Sequence, residues 1–172
     1  MGIEQSIVIA TLLGLLGTAV LSDLRWHRIP NFLVLLGLAL GLTSQVSILG
    51  ALGLGHWALG MTIGFAVFLP MYAFGGMAAG DVKLMAMVGA FLTPHDALWA
   101  ALFSLIAGAL CGLLIVLARG QAQQTVGRYW LMFRARAYMA PAVDEVAGKP
   151  FPYSVAVLLG TLTSVFWLPF GQ

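Results

Sequence analysis

The sequence predicts an all-α, polytopic integral membrane protein with about six transmembrane helices. Its 172 residues are 61% hydrophobic and only 8% charged, whereas soluble domains carry about 25% charged residues. Apolar segments of membrane-spanning length alternate with short polar stretches, as a hydrocarbon core about 30 Å thick requires. Because water could not solvate a chain this apolar, the composition excludes an ordinary soluble domain.

Six apolar segments can be counted as membrane spans. We expect the first to be a retained helix and not a signal peptide. Signal peptides begin with basic residues, and this segment has Glu4 there instead. The fourth has only about eleven residues, so it could begin below the membrane surface, with the preceding loop dipping inwards. The segments cover residues 3–21, 32–49, 57–74, 82–92, 97–118 and 153–170.

The basic residues indicate the orientation. If the six segments alternate in direction, all eight Lys and Arg residues fall on one side. Cytoplasmic loops carry such an excess, so we expect that side to be cytoplasmic and both termini to lie outside. The residues are Arg25, Arg28, Lys83, Arg119, Arg128, Arg134, Arg136 and Lys149.

We expect a single membrane-embedded domain, residues 1–172, with a cytoplasmic loop at about 119–150. Within this loop the stretch VGRYWLMFRARAYM mixes aromatic residues with arginines. As a helix it would separate apolar and basic faces and could lie on the inner leaflet. Either an ordinary interfacial loop or a substrate-docking surface would fit this pattern.

Other chemistries find little support in the sequence. The net charge of +2 comes without a dense basic tract, so we expect no nucleic-acid partner. Cys111 is the single cysteine, which leaves no intrachain disulfide and no paired cysteines for zinc. We therefore expect no metal site.

Two of the six acids require a functional explanation, because charges beside membrane segments are energetically costly. Asp23 ends the first segment and Asp81 opens the fourth, at the same side of the membrane. Each alone could be a helix cap or a solvated terminus. Two carboxyls brought together would share a proton, and would supply the general base and general acid for peptide hydrolysis.

The loops beside these acids contain residues suited to shaping a site. Pro30 disfavours helical backbone at Ile29, and Asn31 can cap the second helix. Lys83 stands two positions from Asp81, so it does not share its helical face, and could anchor the short helix at the membrane surface. Glycines permit unusual backbone shapes and let a substrate backbone come close; they are Gly75, Gly76 and Gly80.

Three stretches resemble the type IV prepilin peptidase family. DLRWHRIPN resembles its D-x-R-x-x-x-I-P-N signature, and GGMAAGDVKLM resembles its second signature, built around G-x-G-D and followed by V-K-L. KPFPYSVAVLLG resembles the proline-rich entry to its last helix. The one departure is Ala78, which stands at the first glycine of G-x-G-D. A left-handed conformation there would cost about 1 kcal/mol.

The resemblance implies an intramembrane aspartyl protease of the GxGD type in the bacterial inner (cytoplasmic) membrane, with its active site facing the cytoplasm. Its substrate would be a prepilin, whose basic leader is cleaved ahead of a hydrophobic helix held in the lipid bilayer. By motif match Asp23 and Asp81 are the catalytic pair, and no cofactor is needed. We expect the neighbouring motif residues to shape the site or contact substrate: Arg25, Pro30, Asn31, Gly76, Ala78, Gly80 and Lys83.

The resemblance is to the short members that serve tight-adherence (Flp-type) pili. Longer members also methylate the new pilin N-terminus and carry an extra cytoplasmic domain, often with paired cysteines. This implies peptidase activity without methyltransferase activity. Two other functions remain open from the residues alone: a small proton-coupled membrane carrier that uses the acids as a relay, and a non-catalytic subunit of a pilus or secretion assembly.

Overall fold

The computed structural model describes residues 2–120, 122–135 and 152–167. These residues form seven α-helices and no strand, which confirms the all-α prediction. In chain order the helices are α1 (Ile3–Trp26), α2 (Asn31–Leu49), α3 (Ala51–Ala73), α4 (Ala79–Phe91), α5 (Pro94–Ala118), α6 (Ala122–Ala135) and α7 (Tyr153–Trp167).

Four of these helices, α1, α2, α3 and α5, are long and apolar enough to cross a membrane, judged by length and composition. The predicted fourth and sixth spans correspond to α4 and α7, which have 13 and 15 residues. Both are shorter than the roughly 20 residues of a full span. The sixth predicted segment continues to residue 170, and residues 168–170 lie outside the described part of the chain. The chain is therefore a membrane protein, and the count of six spans stays a prediction.

The short helix α4 is the most buried element of the first compact unit, which comprises the described parts of Met1–Ala107 and Pro152–Gln172. From Val82 to Phe91 every residue except Lys83 is buried. α4 packs against α1, α2, α3 and α7. Its contact with α3 depends on glycine, since a Cβ built on Gly60 or Gly89 would overlap the backbone carbonyl of the other.

The outer surfaces of α2 and α3 are apolar and exposed, as expected of helices that face lipid. Large side chains that no other part of the unit covers include Leu35, Leu36, Leu52, Leu59, Phe65 and Leu69. Hydrophobic burial within the protein is therefore concentrated around α4.

The start of α5 is fixed by a polar cap. The Thr93 hydroxyl accepts the backbone N–H of Asp96 at 3.2 Å and donates to Asp96 Oδ2 at 2.8 Å. Pro94 occupies the first helical position, where no intrahelical N–H bond is required. The buried carboxylate of Asp96 is thus part of a helix cap.

The second compact unit, Gly108–Phe151, is described over residues 108–120 and 122–135. Its helix α6 includes the first part of VGRYWLMFRARAYM, residues 126–135. Leu131 and Arg134 are both exposed on it. Residues 136–150 lie outside the described part, so the extent of the loop at 119–150 and the single domain 1–172 stay predictions.

Candidate active site

Asp23 lies in the last turn of α1, which continues past the predicted end at residue 21 to Trp26. Only 8% of its surface is exposed. Its Oδ2 accepts a hydrogen bond of 2.6 Å from the hydroxyl of Ser154, a fully buried residue in the first turn of α7. The C-terminal end of α1 and the N-terminal end of α7 together hold this carboxylate.

The turn after Asp23 is held by local bonds. Ser22 Oγ donates to the carbonyl of Arg28 at 2.8 Å, and His27 ends α1 in the left-handed conformation. Pro30 follows with φ −62° and ψ 130°, so the break in helix that the sequence predicted before α2 is confirmed. Ile29 turns inward and packs against Gly80, whose added Cβ would lie 3.6 Å from the Ile29 side chain.

Asp81 lies in the first turn of α4 and is 5% exposed. Its Oδ2 accepts the backbone N–H of Ala78 at 3.2 Å. An acidic side chain that reaches back to the cap residue satisfies a donor that the helix itself leaves unpaired. One oxygen of Asp81 is thus committed to the chain, while the other has no protein hydrogen bond among the described residues.

The electrostatics connect the two acids. Asp81 precedes the apolar part of α4 and belongs to none of the four helices long enough to span a membrane. Burial and, to a smaller extent, the negative charge of Asp23 raise the pKa of Asp81 from 3.8 to about 7, and the Ala78 hydrogen bond opposes the rise. Two carboxyls that interact in this way retain a proton between them near neutral pH. Such a pair can accept one proton and donate another.

Asn31 does not cap α2, contrary to the sequence-based expectation. The cap residue is Pro30, and no side chain bonds the first turn of the helix. Instead Asn31 Oδ1 accepts a hydrogen bond of 3.1 Å from Lys83 Nζ. Proline already sets the extended backbone needed before the helix, which frees the amide to join the start of α2 to α4.

Arg25 is exposed, and its guanidinium lies 5.3 Å from the centre of the Trp26 ring. That contact is a cation–π interaction along its own helix. The described contacts do not connect Arg25 with either acid, so a role in binding substrate stays a prediction.

The glycine-rich loop before Asp81 makes a turn at Gly75, where φ is +74°. Gly76 donates its backbone N–H to the carbonyl of Met71 at 2.8 Å, and a Cβ there would lie 3.2 Å from that same oxygen. Ala78 has φ −81° and ψ 153°, an extended conformation open to any residue. Alanine in place of the motif glycine therefore introduces no left-handed strain.

Ser154 was missed by the sequence analysis, although its stretch, KPFPYSVAVLLG, was singled out. A serine in an apolar helix ordinarily bonds its own backbone, and the partner here lies 131 residues away along the chain. No sequence pattern identifies a distant hydrogen-bond partner of a serine hydroxyl. Lys149, at the start of the stretch, lies outside the described residues.

In the part of the chain that the structure describes, no three His, Cys, Asp or Glu side chains gather as a group able to hold a metal ion. Comparison with known proteins gives one match to a family. The model of the type IV leader peptidase family matches residues 10–116, which include both acids and the loops around them. No curated protein and no solved structure gives a significant match.

Proposed function

The chain belongs to the type IV leader peptidase family, and from this premise we propose that it is an intramembrane aspartyl endopeptidase whose catalytic pair is Asp23 and Asp81. The observation that carries the proposal is that both carboxyls are buried at the same end of the first unit and interact electrostatically. No other two acids among the described residues share these properties.

The chemistry requires only water and the two carboxyls. The ionised acid takes a proton from water while the protonated acid gives its proton to the carbonyl oxygen of the scissile peptide, which yields a neutral gem-diol. The diol then returns a proton to the second acid, the first acid protonates the amide nitrogen, and the C–N bond breaks. Both acids end in their starting states, so no metal or cofactor is needed.

We propose that the substrate is a type IV prepilin-like protein, cut between its basic leader and its hydrophobic helix at the cytoplasmic face of a bacterial inner membrane. The positive charge beside the acids supports this orientation, because Arg25, Arg28 and Lys83 lie at the same end of the unit as the carboxyls. Six spans, with both termini outside, complete the arrangement, and Asp81 immediately precedes the fourth.

We also propose that the activity is peptidase alone. The single cysteine, Cys111, cannot form the cysteine pair found in many bifunctional members. Mass spectrometry of the processed pilin N-terminus would show an unmethylated residue.

The test substitutes each acid in turn. Asp23→Asn and Asp81→Asn should each abolish cleavage of a co-expressed Flp-type prepilin, because an amide cannot serve as base or acid. Asp96→Asn is the matched control, since Asp96 is as buried as Asp23 (8% exposed) but bonds Thr93 at the start of α5. Gel mobility of the pilin measures cleavage, and immunoblotting of membranes measures insertion. Normal processing by both inserted Asp23 and Asp81 variants would overturn the proposal.

A further inference from the structure

We propose that Ser154 is a positioning residue of the catalytic pair: its hydroxyl bonds and orients the Asp23 carboxylate, so that Asp23 is the base that activates water and Asp81 is the acid. This inference rests on the proposed function. It adds a division of roles within the pair and a third residue, from a helix that neither catalytic signature contains.

The hydrogen bond between Ser154 and Asp23 is short and buried. The 2.6 Å distance between Ser154 Oγ and Asp23 Oδ2 lies within the range of about 2.5–2.7 Å for a hydroxyl that donates to a carboxylate. Ser154 is fully buried, so water does not compete for its proton. A hydrogen bond of this kind fixes the orientation of the carboxylate that accepts it.

Ser154 is held in place from two sides. The neighbouring Tyr153 packs edge-on against Phe68 of α3, with ring centroids 5.9 Å apart. Its phenol donates to the backbone carbonyl of Ser104 in α5 at 3.4 Å. The first turn of α7, which carries Ser154, is therefore anchored to α3 and α5.

Among the described residues, Ser154 is the side chain that hydrogen-bonds the carboxyl of Asp23. On the packed elements, α2 carries no titratable residue, α7 carries only Tyr153, and α4 carries Asp81 and Lys83. Lys83 is exposed and bonds Asn31. On the segment of Asp23 itself, Arg25, His27 and Arg28 are exposed. Asp81 is thus the ionisable group that interacts with Asp23. Among the described residues no side chain donates a hydrogen bond to Asp81.

The first experiment measures steady-state cleavage of a purified Flp-type prepilin by purified full-length enzyme in detergent. Ser154→Ala should lower kcat about 10- to 100-fold, the loss expected for a hydrogen bond to a charged group. KM should change less than threefold, because Ser154 bonds the acid and not the peptide. Ser154→Thr keeps the hydroxyl and should restore activity to within about fivefold of wild type.

The control is Ser164→Ala. Ser164 is a second buried serine of α7, and it donates to the backbone carbonyl of Asp96 at 3.5 Å. The Ser164→Ala variant should have a kcat within twofold of the wild-type value. Equal losses in Ser154→Ala and Ser164→Ala, or a loss in Ser154→Ala that follows its fall in melting temperature, would reduce Ser154 to a packing role and overturn the inference.

The pH profile separates positioning from packing. The profile should be bell-shaped, and its alkaline limb should lie near the pKa of Asp81, about 7, since activity is lost as the acid gives up its proton. Ser154→Ala should leave the alkaline limb in place, because the Ser154 hydroxyl bonds Asp23 and not Asp81. A displaced alkaline limb would indicate a packing change around Asp81 and contradict the inference even if kcat falls.

Asp23→Asn and Asp81→Asn, measured in the same assay, distinguish a failure of the proposed function from a failure of the role of Ser154. If both abolish cleavage while Ser154→Ala is fully active, the proposed function stands and the role of Ser154 is refuted. If both cleave normally, the proposed function fails and the role of Ser154 fails with it.

Discussion

At the scale of single residues, the loop before Asp81 shows which glycine the backbone requires. Gly75 has φ +74°, a conformation that costs residues with a Cβ about 1 kcal/mol. Ala78, which departs from the G-x-G-D signature, has φ −81° and carries no such cost. The requirement for glycine therefore lies three positions before the motif position at which the sequence departs.

Gly75→Ala should lower the free energy of unfolding by about 1 kcal/mol, and should lower activity because the loop carries the N–H that bonds Asp81. Thermal unfolding in detergent, followed by circular dichroism, provides the measurement. Gly14→Ala is the matched control, because Gly14 lies inside α1 with nothing within 4 Å of an added Cβ. Alanine there should be neutral or stabilising. Equal melting temperatures for the two variants would contradict the left-handed explanation.

The acids could be identified from the sequence because charge is rare in so apolar a chain. Asp23 and Asp81 stand at the edges of apolar segments, and the alternation of segments places them on one side. The hydrogen-bond partners could not be identified in this way. Ser154 reaches Asp23 only because α7 packs against α1, and Asn31 bonds Lys83 instead of capping its helix because α2 begins beside α4.

At the scale of elements, α4 shows that the shortest apolar segment can be the most enclosed. Its length had suggested a helix that begins below the membrane surface. The structure surrounds it with α1, α2, α3 and α7, so that its burial comes from protein, and its depth in the membrane stays a prediction. Sequence periodicity could not predict this, because an apolar face toward lipid and one toward protein have the same composition.

Glycines recur along the helices, but only some of them lie at close helix contacts. An added Cβ would overlap Met87 at Gly37 and would lie 2.9 Å from the carbonyl oxygen of Ala90 at Gly41. At Gly14, Gly17 and Gly112 nothing lies within 4 Å of it. Helical spacing of glycines thus indicates a possible contact surface, and only the packing shows which surface is used.

Gly89→Leu should separate α3 from α4, because its Cβ would overlap the carbonyl of Gly60 and backbone cannot yield as a side chain can. Overpacking of this kind costs about 3 kcal/mol, and it would also shift Asp81, so both melting temperature and cleavage should fall. Gly112→Leu, a substitution at a site with nothing within 4 Å, should preserve both. Size-exclusion chromatography in detergent distinguishes the folded variants from aggregates. A Gly89 variant with wild-type stability would contradict the close contact.

At the scale of the first compact unit, the polar contacts separate into two groups at opposite ends of its helices. One contains Asp23, Asp81 and the Asn31–Lys83 bond, at the end of α1 and the starts of α2 and α4. The other contains the bond from Gln45 Nε2 to the carbonyl of Leu92, at 3.1 Å, and the cap of α5 around Asp96. Because the described basic residues of the unit accompany only the first group, the charge difference predicts that this end faces the cytoplasm.

This orientation can be tested with cysteines at the two ends. In a Cys111→Ala background, Arg28→Cys introduces a thiol at an exposed site at the end of the unit that carries Asp23 and Asp81, and His95→Cys introduces one at an exposed site beside the cap of α5. In intact spheroplasts a membrane-impermeant maleimide should label the variant at position 95 and leave the one at position 28 unlabelled until the membrane is permeabilised. Retained prepilin cleavage shows that each variant is folded. The basic leader of the substrate is expected to lie on the cytoplasmic side of the membrane. Labelling of position 28 from outside would place Asp23 and Asp81 on the opposite side, and would contradict leader cleavage at the cytoplasmic surface.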